Sequence, residues 1–170
     1  MFVMIRPMDK IDKITEQWNL ERPELDISSM GLVGRFKRVT QHLSNEMSKT
    51  FTEHGLNPAS FDVLATLRRS GPDYARSPND LLATMMVTSG TMTHRIDQLV
   101  KTGLVERIPN PKDGRSFIIA LTKKGFTIID KAVTAHASTQ NRLTEKLSKK
   151  EKETLDGLLR KFLGGFEKEL

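Results

Sequence analysis

The chain has 170 residues, of which 37% are hydrophobic and 28% are charged, and this composition suits one folded domain with or without helical extensions. It contains no cysteine, which excludes disulfides, thiolate metal sites, thiolate nucleophiles and thiol-based oxidation sensing. No run approaches the roughly 18 consecutive apolar residues of a membrane span, and residues 1–8 are too short for the apolar core of a signal peptide. We therefore expect a cytoplasmic protein.

The excess of positive charge lies in the central third of the chain. The net charge is +6, and residues 68–124 alone hold 10 basic and 5 acidic side chains, a net charge of +5. Residues 1–67 carry a net charge of −1 and residues 125–170 a net charge of +2. Such a surplus favours an anionic partner, although charge alone also allows a solvated basic surface without one.

Seven helices and one β-hairpin are predicted from hydrophobic periodicity, helix caps and turn residues. The predicted helices span residues 9–20, about 30–54, 58–69, 79–85, 89–101, 122 to 143 or 147, and 149 to about 166. The predicted strands are residues 104–108 and 116–121, separated by a long tip with the sequence PNPKDGR. The sequence shows no internal repeat and no low-complexity segment.

Serine caps are predicted at three helix starts, because a serine hydroxyl can accept hydrogen bonds from the unpaired N–H groups of the first turn. Ser28 or Ser29 is expected to cap the long second helix. Ser77, followed by proline, is expected to cap the helix that begins at residue 79. Ser148 and Glu151 have the spacing of a capping box for the last helix.

The basic region reads as helix, turn, helix and two-stranded hairpin, which predicts a winged helix-turn-helix with longer helices before and after it. The helix over residues 89–101 is then the one that enters the major groove of DNA. Because the charge surplus falls on this unit, nucleic acid is favoured over a basic surface without a partner.

The helix over residues 89–101 has two distinct faces when its side chains are placed at about 100° per residue. The apolar face, which must lie against the core, comprises Met92, Ile96, Leu99 and Val100. The opposite face comprises Gly90, Thr91, His94 and Gln98, whose small, hydroxyl, imidazole and amide groups suit contact with base edges and phosphates. Arg95 borders the apolar face, which favours a site behind the helix; the alternative is a partly buried arginine paired with a carboxylate.

The predicted hairpin tip carries Lys112, Asp113, Gly114 and Arg115. A guanidinium at an extended tip can enter a narrow minor groove, where the negative potential of DNA is enhanced. Asp113 is placed to hold Arg115 in orientation. The alternative is a solvated turn, since Asp-Gly is common in hairpins.

Two of these segments resemble a known family. DGRSFIIALT (113–122) and SGTMTHRIDQLVKTGLVER (89–107) resemble the MarR family of bacterial transcription regulators, whose wing carries Asp-x-Arg followed by Leu-Thr. The resemblance extends over essentially the whole chain from about Ser28. It implies a mainly α fold with a small β-hairpin and a homodimer whose N- and C-terminal helices interlock. The long apolar stripes on residues 30–54 and 148–170 agree with that role.

The resemblance also implies a domain organisation. Residues 1–27 are expected to form an N-terminal extension with an additional helix, and residues 28–170 a MarR-type winged-helix domain. Within that domain the DNA-binding core is expected at about 56–122, between dimerisation helices at about 29–54 and 123–170. The residues expected to contact double-stranded DNA are Ser77, Thr88, Ser89, Gly90, Thr91, Thr93, His94, Gln98, Lys112, Asp113 and Arg115.

A third segment, QWNLERPELDISSMGLVGRFKR (17–38), resembles a subgroup of the family that carries an extra N-terminal helix and responds to urate. Through that resemblance, the expected ligand-binding residues are Trp18, Asp62, Arg95 and Arg107. Urate is a flat anion, so an aromatic face and fixed guanidinium donors suit it, while the Asp62 carboxylate would repel it and could act as the trigger. The alternatives are a structural Trp18, an Asp62 paired with an arginine, and a phenolic or other aromatic acid as ligand.

The resemblance implies a repressor that its ligand releases from DNA, and two further functions stand against it. An enzyme is disfavoured because the four histidines are scattered, and because no metal-ligand spacing, glycine-rich phosphate loop or nucleophile elbow is present. No metal and no cofactor are therefore expected. A DNA-binding protein that senses no ligand stays open at this point, with the N-terminal helix serving only dimerisation.

Overall fold

A computed structural model describes residues 8–85, 89–110 and 113–167, and the chain divides into two compact units, Met1–Glu46 and Met47–Leu170. The strands form one antiparallel sheet in the order β1-β3-β2, so the predicted fold, mainly α with a small β-hairpin, is confirmed. Across the described ranges, no helix is both long enough and apolar enough to cross a membrane. The elements in chain order are α1 Lys10–Glu21, α2 Ser28–Glu53, α3 Pro58–Arg68, β1 Ala75–Arg76, α4 Pro78–Met85, α5 Ser89–Lys101, β2 Val105–Asn110, β3 Asp113–Leu121, α6 Lys123–Leu143 and α7 Lys149–Leu163.

In the first unit, α1 is held on α2 by one apolar contact and one charged cluster. Ile11, the one buried residue of α1, lies against Gly34, where an added Cβ would be 3.3 Å from the isoleucine side chain. The Arg35 Nε atom donates to Asp9 Oδ2 at 2.7 Å, and Arg35 also pairs with Asp12. Asp9 is at the same time the N-cap of α1, because its Oδ1 accepts from the N–H groups of Ile11 and Asp12. The hydrogen bond from Arg35 lowers the pKa of Asp9 to about 2.

The core of the second unit lies between α3, α5, α6 and the sheet. It contains the aliphatic side chains of α3 and α5 that the hydrophobic periodicity predicts to point inward. The largest side chains with almost no exposed surface are Val63, Leu64, Leu67, Leu81, Met92, Ile96, Val105, Ile119 and Ile129. Because α3 and α5 both insert aliphatic side chains into this core, the rotation of α5 about its own axis is fixed by packing.

Most predicted helix ends are confirmed, and the reasons are local. The bounds of α5 agree with the prediction, and Gly103 follows it with a φ of +71°, a conformation that favours glycine. Ser77 caps α4 by accepting from the Asp80 N–H at 3.1 Å, and Ser148 forms the predicted capping box with Glu151. The predicted cap at Ser28 or Ser29 is wrong: α2 already begins at Ser28, whose N–H donates to Asp26 Oδ1 at 3.0 Å.

The long hairpin tip predicted between residues 108 and 116 is also wrong. Strands β2 and β3 continue through most of it, and their pairing runs out to Asn110 opposite Asp113. Pro109 can lie in β2 because this is an edge strand, where a missing N–H need not break a ladder bond, and the register shifts between Pro109 and Asn110. The result is a wing whose strands pair further towards the tip than the turn residues indicate.

Candidate nucleic-acid interface and ligand pocket

The outer face of α5 is polar and exposed, as the rotation predicted. Met92, Ile96 and Leu99 are buried, whereas His94 and Gln98 point away from the core and are exposed. Gly90 is exposed, and a Cβ added there would meet nothing within 4 Å, so the start of the helix is accessible to a partner. A helix with one buried apolar side and one exposed polar side can be inserted into the major groove without disturbing its own packing.

The other predicted DNA contacts fall at the ends of elements. Ser89, Thr91 and Thr93 are exposed in the first turns of α5, and Thr93 Oγ1 donates back to the Ser89 carbonyl at 3.2 Å. Ser77 is half-buried, and its hydroxyl is used to cap α4. Thr88 and Lys112 lie outside the described residues.

The end of the wing carries Asp113 and Arg115, both exposed. Asp113 Oδ1 accepts from the backbone N–H of Arg115 at 3.1 Å. The prediction that Asp113 orients the Arg115 guanidinium is therefore wrong, because its carboxylate orders the backbone of the tip instead. The Ser116 hydroxyl donates to the Asp113 carbonyl at 3.1 Å and accepts from the Asn110 side chain at 3.0 Å. These bonds fix the strand that presents Arg115 while leaving its side chain exposed.

Arg76 is a basic residue near this surface that the sequence reasoning missed. It is exposed on β1, paired with Ile119 of β3, and it directly precedes Ser77 at the start of α4. The start of a helix favours anions through its unpaired N–H groups, so an adjacent arginine suits a phosphate contact. No sequence pattern marks Arg76, because a strand of two residues is too short to show periodicity.

Behind α5, two of the predicted ligand-binding residues come close together. Arg95 is half-buried on the inner border of α5, and its positive charge acts on the carboxylate of Asp62 on α3. Burial raises the pKa of Asp62 above its ordinary value, and the charges of Arg95, Arg69 and His136 offset this only in part. Asp62 is nevertheless exposed at the surface, so its carboxylate is only partly removed from water.

Asp62 lines a small polar pocket with a volume of about 250 Å³, together with Thr66, Arg69, Thr84 and Met85. This volume is below the roughly 300–1,000 Å³ of pockets that hold drug-sized ligands, so it suits a smaller molecule. Arg69 was not among the predicted residues. The helical spacing could have identified Arg69, because positions 62, 66 and 69 lie on one face of a helix.

His136 of α6 lies beside this pocket, among aromatic rings. Its ring centroid is 5.2 Å from that of Phe51 and 5.0 Å from that of Phe61, and burial lowers its pKa. Its Nδ1 atom is buried and has no hydrogen-bond partner in the part of the chain that the structure describes. His136 therefore combines a buried Nδ1 atom that has no partner among the described residues with an electrostatic interaction with Asp62.

The remaining two predicted ligand residues are placed differently. Arg107 of β2 pairs with Asp97 of α5, and its Cζ atom is 5.4 Å from the ring centroid of Phe117. It does not line the pocket that contains Asp62. Trp18 lies on α1 in the first unit, where 42% of its surface is exposed. Among the residues described, no group of three or more His, Asp or Glu side chains is arranged to hold a metal ion.

The two-faced α5, the antiparallel wing and the basic central region together define a winged helix-turn-helix protein of the DNA-binding class. A model of the MarR family matches residues 54–116. The chain is 36% identical over 150 residues to the HTH-type transcriptional regulator PecS of Dickeya dadantii, covering 88% of this chain and 90% of that protein. It is 31% identical over 128 residues to the multiple antibiotic resistance protein MarR of Escherichia coli, covering 72% of this chain and 87% of that protein.

Solved structures of the same family are also similar to this chain. A mutant MarR from E. coli in complex with operator DNA is similar to this chain with a TM-score of 0.67 and 27% identity, covering 86% of this chain and 97% of that one. The chain therefore belongs to the MarR family of DNA-binding transcriptional regulators. The predicted family is confirmed, and the relatives are regulators rather than enzymes.

The raised pKa of Asp62 gives a stability prediction. A carboxyl group whose pKa is higher in the folded state favours folding at low pH, and this contribution is lost as the pH rises through the folded pKa. Asp62→Asn removes the unfavourable charge, so we expect a slightly higher Tm than wild type at pH 7. The difference should shrink below the ordinary carboxyl pKa of about 3.9. A lower Tm for the variant at pH 7 would show that pairing with Arg95 and Arg69 outweighs burial.

Proposed function

We propose that this protein is a repressor that binds a pseudo-palindromic operator as a homodimer and is released from it by a small anionic ligand, with urate as the favoured ligand. It acts in the cytoplasm, on double-stranded DNA. The half-sites are expected roughly one helical turn, about 10 bp, apart, because each protomer presents one α5. The main support is the orientation of α5, whose outer face is exposed while its inner border carries Arg95, whose charge acts on Asp62.

Homodimer formation is supported by apolar side chains that are exposed on two helices, α2 and α7. Leu32, Val33, Phe36 and Val39 of α2 are all exposed. No residue of α7 is buried, and its exposed apolar side chains are Leu155, Leu158, Phe162 and Leu163, followed by Phe166. Large contiguous apolar surfaces mark sites of association, and a second copy brings the same faces with it.

The ligand proposal follows from the charges around Asp62. Arg69 of the pocket can donate to the oxygen atoms of an anion, and Arg95, whose charge acts on Asp62, can do so from beside it. The Thr66 and Thr84 hydroxyls already donate to the Asp62 and Asp80 carbonyls, so they can accept from a ligand N–H or O–H. Asp62 favours a ligand that also carries an N–H or O–H donor, because a carboxylate opposite a bare anion is repelled. Urate has both oxygen atoms and N–H groups. The resemblance also assigns an aromatic ligand contact to Trp18, which is not among the residues that line this pocket.

Binding of an anion beside Arg95 changes the charge balance on the inner border of α5. A ligand can shift the protein away from DNA only if it binds the two conformations with different affinity. Arg95 belongs to the DNA-reading helix itself, so a ligand that pulls on its guanidinium acts directly on the position of that helix. Arg107 is paired with Asp97, which also belongs to α5, so a ligand that recruits Arg107 acts on a residue already linked to that helix.

For the DNA interface, we predict that Arg115→Ala lowers affinity for many DNA sequences by about 10-fold and reduces the salt dependence by about one counterion. The physical reason is the loss of one exposed guanidinium at the wing. Fluorescence anisotropy with labelled duplexes at several salt concentrations measures both quantities. Arg160→Gln on α7, which also removes an exposed arginine, serves as the control. Unchanged affinity and slope for Arg115→Ala would refute the wing contact.

For the ligand, we predict that graded urate releases wild-type protein from DNA. Arg69→Gln and Trp18→Ala should reduce this response by at least about 10-fold, the cost of losing one charge-assisted contact or an aromatic surface, with little change in DNA affinity. Arg107→Ala should reduce the response in the same way, because the resemblance also assigns Arg107 to the ligand. The measurement is an electrophoretic shift assay with urate, and with a phenolic acid in parallel. Release by the phenolic acid alone would replace urate as the ligand, and no release by either would support a DNA-binding protein that senses no ligand.

A further inference from the structure

Arg68, at the end of α3, connects three parts of the winged helix. Its Nε and Nη2 atoms donate to Asp130 Oδ1 of α6 at 3.0 and 2.8 Å. The same guanidinium lies over two aromatic rings, with its Cζ 4.6 Å from the centroid of Phe126 and 5.2 Å from that of Tyr74. A planar guanidinium can pair with a carboxylate at its edge and stack on rings with its faces at once, which an ammonium cannot do.

Tyr74 is the residue of this cluster whose backbone conformation is unusual. Its φ of +47° lies in the left-handed region, and it is the only non-glycine residue with positive φ in the described chain. A bulky residue rarely adopts this conformation without compensating contacts. Here the ring packs 5.0 Å from Phe126 and beneath Arg68, and the backbone N–H donates to the Gly71 carbonyl at 3.2 Å.

The unusual conformation of Tyr74 has a consequence for the DNA-binding elements. Its carbonyl accepts from the N–H of Leu121, the last residue of β3, at 3.2 Å. The next two residues form β1, with Ala75 opposite Ala120 and Arg76 opposite Ile119. Ser77 follows at once and caps α4. One short turn therefore ties the wing strand β3 to the start of α4.

We propose that Arg68 is a positioning residue for DNA binding: it holds Tyr74 in its left-handed conformation and so fixes the wing relative to the helix-turn-helix. Through Asp130 it ties the same turn to α6. Arg68 acts on DNA indirectly, because it sets where β3 carries Arg115 while α5 occupies the groove. The proposal rests on the wing contact of Arg115 proposed above, and on the DNA-binding class of the family.

The test compares Arg68→Gln, Arg115→Ala and the double variant, with Arg160→Gln as a control that removes an ion pair elsewhere. Anisotropy titrations over a range of salt concentrations give the affinity and the salt slope. Arg68→Gln should weaken DNA binding by roughly the same factor as Arg115→Ala and reduce the salt slope by a similar amount, about one counterion. The double variant should bind no more weakly than the weaker single variant, because both changes remove the same contact.

A second readout separates positioning from a general loss of stability. Tyr74 is the only tyrosine in the chain, so fluorotyrosine incorporation gives one fluorine NMR resonance that reports on this turn. We expect that resonance to shift in Arg68→Gln and Asp130→Asn and to stay unchanged in Arg115→Ala. Arg68→Lys should restore less than half of the lost affinity, because a lysine can pair with Asp130 but cannot stack in the same way.

Three results would overturn the proposal. The first is additive losses in the double variant, and the second is an Arg68→Gln protein whose affinity and salt slope equal those of Arg160→Gln. If Arg68→Gln does not fold, Asp130→Asn takes its place, since it leaves the arginine over the two rings and removes only the ion pair. The third result is then an Asp130→Asn protein with wild-type DNA affinity and an unshifted Tyr74 resonance.

Discussion

The burial of one side of α5 is the constraint on which the functional surfaces depend. Met92, Ile96 and Leu99 are held in a core shared with α3, and close packing leaves the helix one rotation about its axis. That rotation exposes His94 and Gln98 to the groove and leaves Arg95 half-buried at the inner border. In the proposed function, recognition of DNA and recognition of a ligand would use opposite sides of this one helix, and neither side could move independently of the other.

The charges around Asp62 of α3 and Arg95 of α5 are unevenly balanced, and an uneven balance of this kind suits a switch. Asp62 pays a desolvation cost that two nearby arginines and a histidine do not fully offset, as its raised pKa indicates. A ligand that donates an N–H group to Asp62 and accepts from the arginines would change this balance while drawing Arg95 and Arg69 towards itself. Linkage requires the effect to be reciprocal: a ligand that weakens DNA binding must itself bind less tightly to the DNA-bound protein, by the same factor.

Much of the winged helix could be predicted from local sequence, because its signals are short in range. Periodicity and Gly103 give the bounds of α5, and Ser148 with Glu151 gives the start of α7. The wing was harder, since Pro109 and Asp-Gly resemble a loop unless the edge position of β2 is known. Strand β1 and the left-handed Tyr74 depend on partners far along the chain, in β3 and α6. Tertiary pairing also decides that Arg107 meets Asp97, while Arg69 lines the pocket with Asp62.

The most direct test is the DNA affinity of wild type and Arg95→Gln, measured over graded urate concentrations. Since Arg95 lies on the inner border of α5 and not on its exposed face, the variant should bind DNA within a factor of about 3 of wild type when urate is absent, as expected for a change with no direct DNA contact. Urate should weaken the binding of wild type progressively and leave that of the variant unchanged. A variant that loses DNA affinity without ligand, or that responds to urate as wild type does, would contradict a helix that reads DNA on one side and ligand on the other.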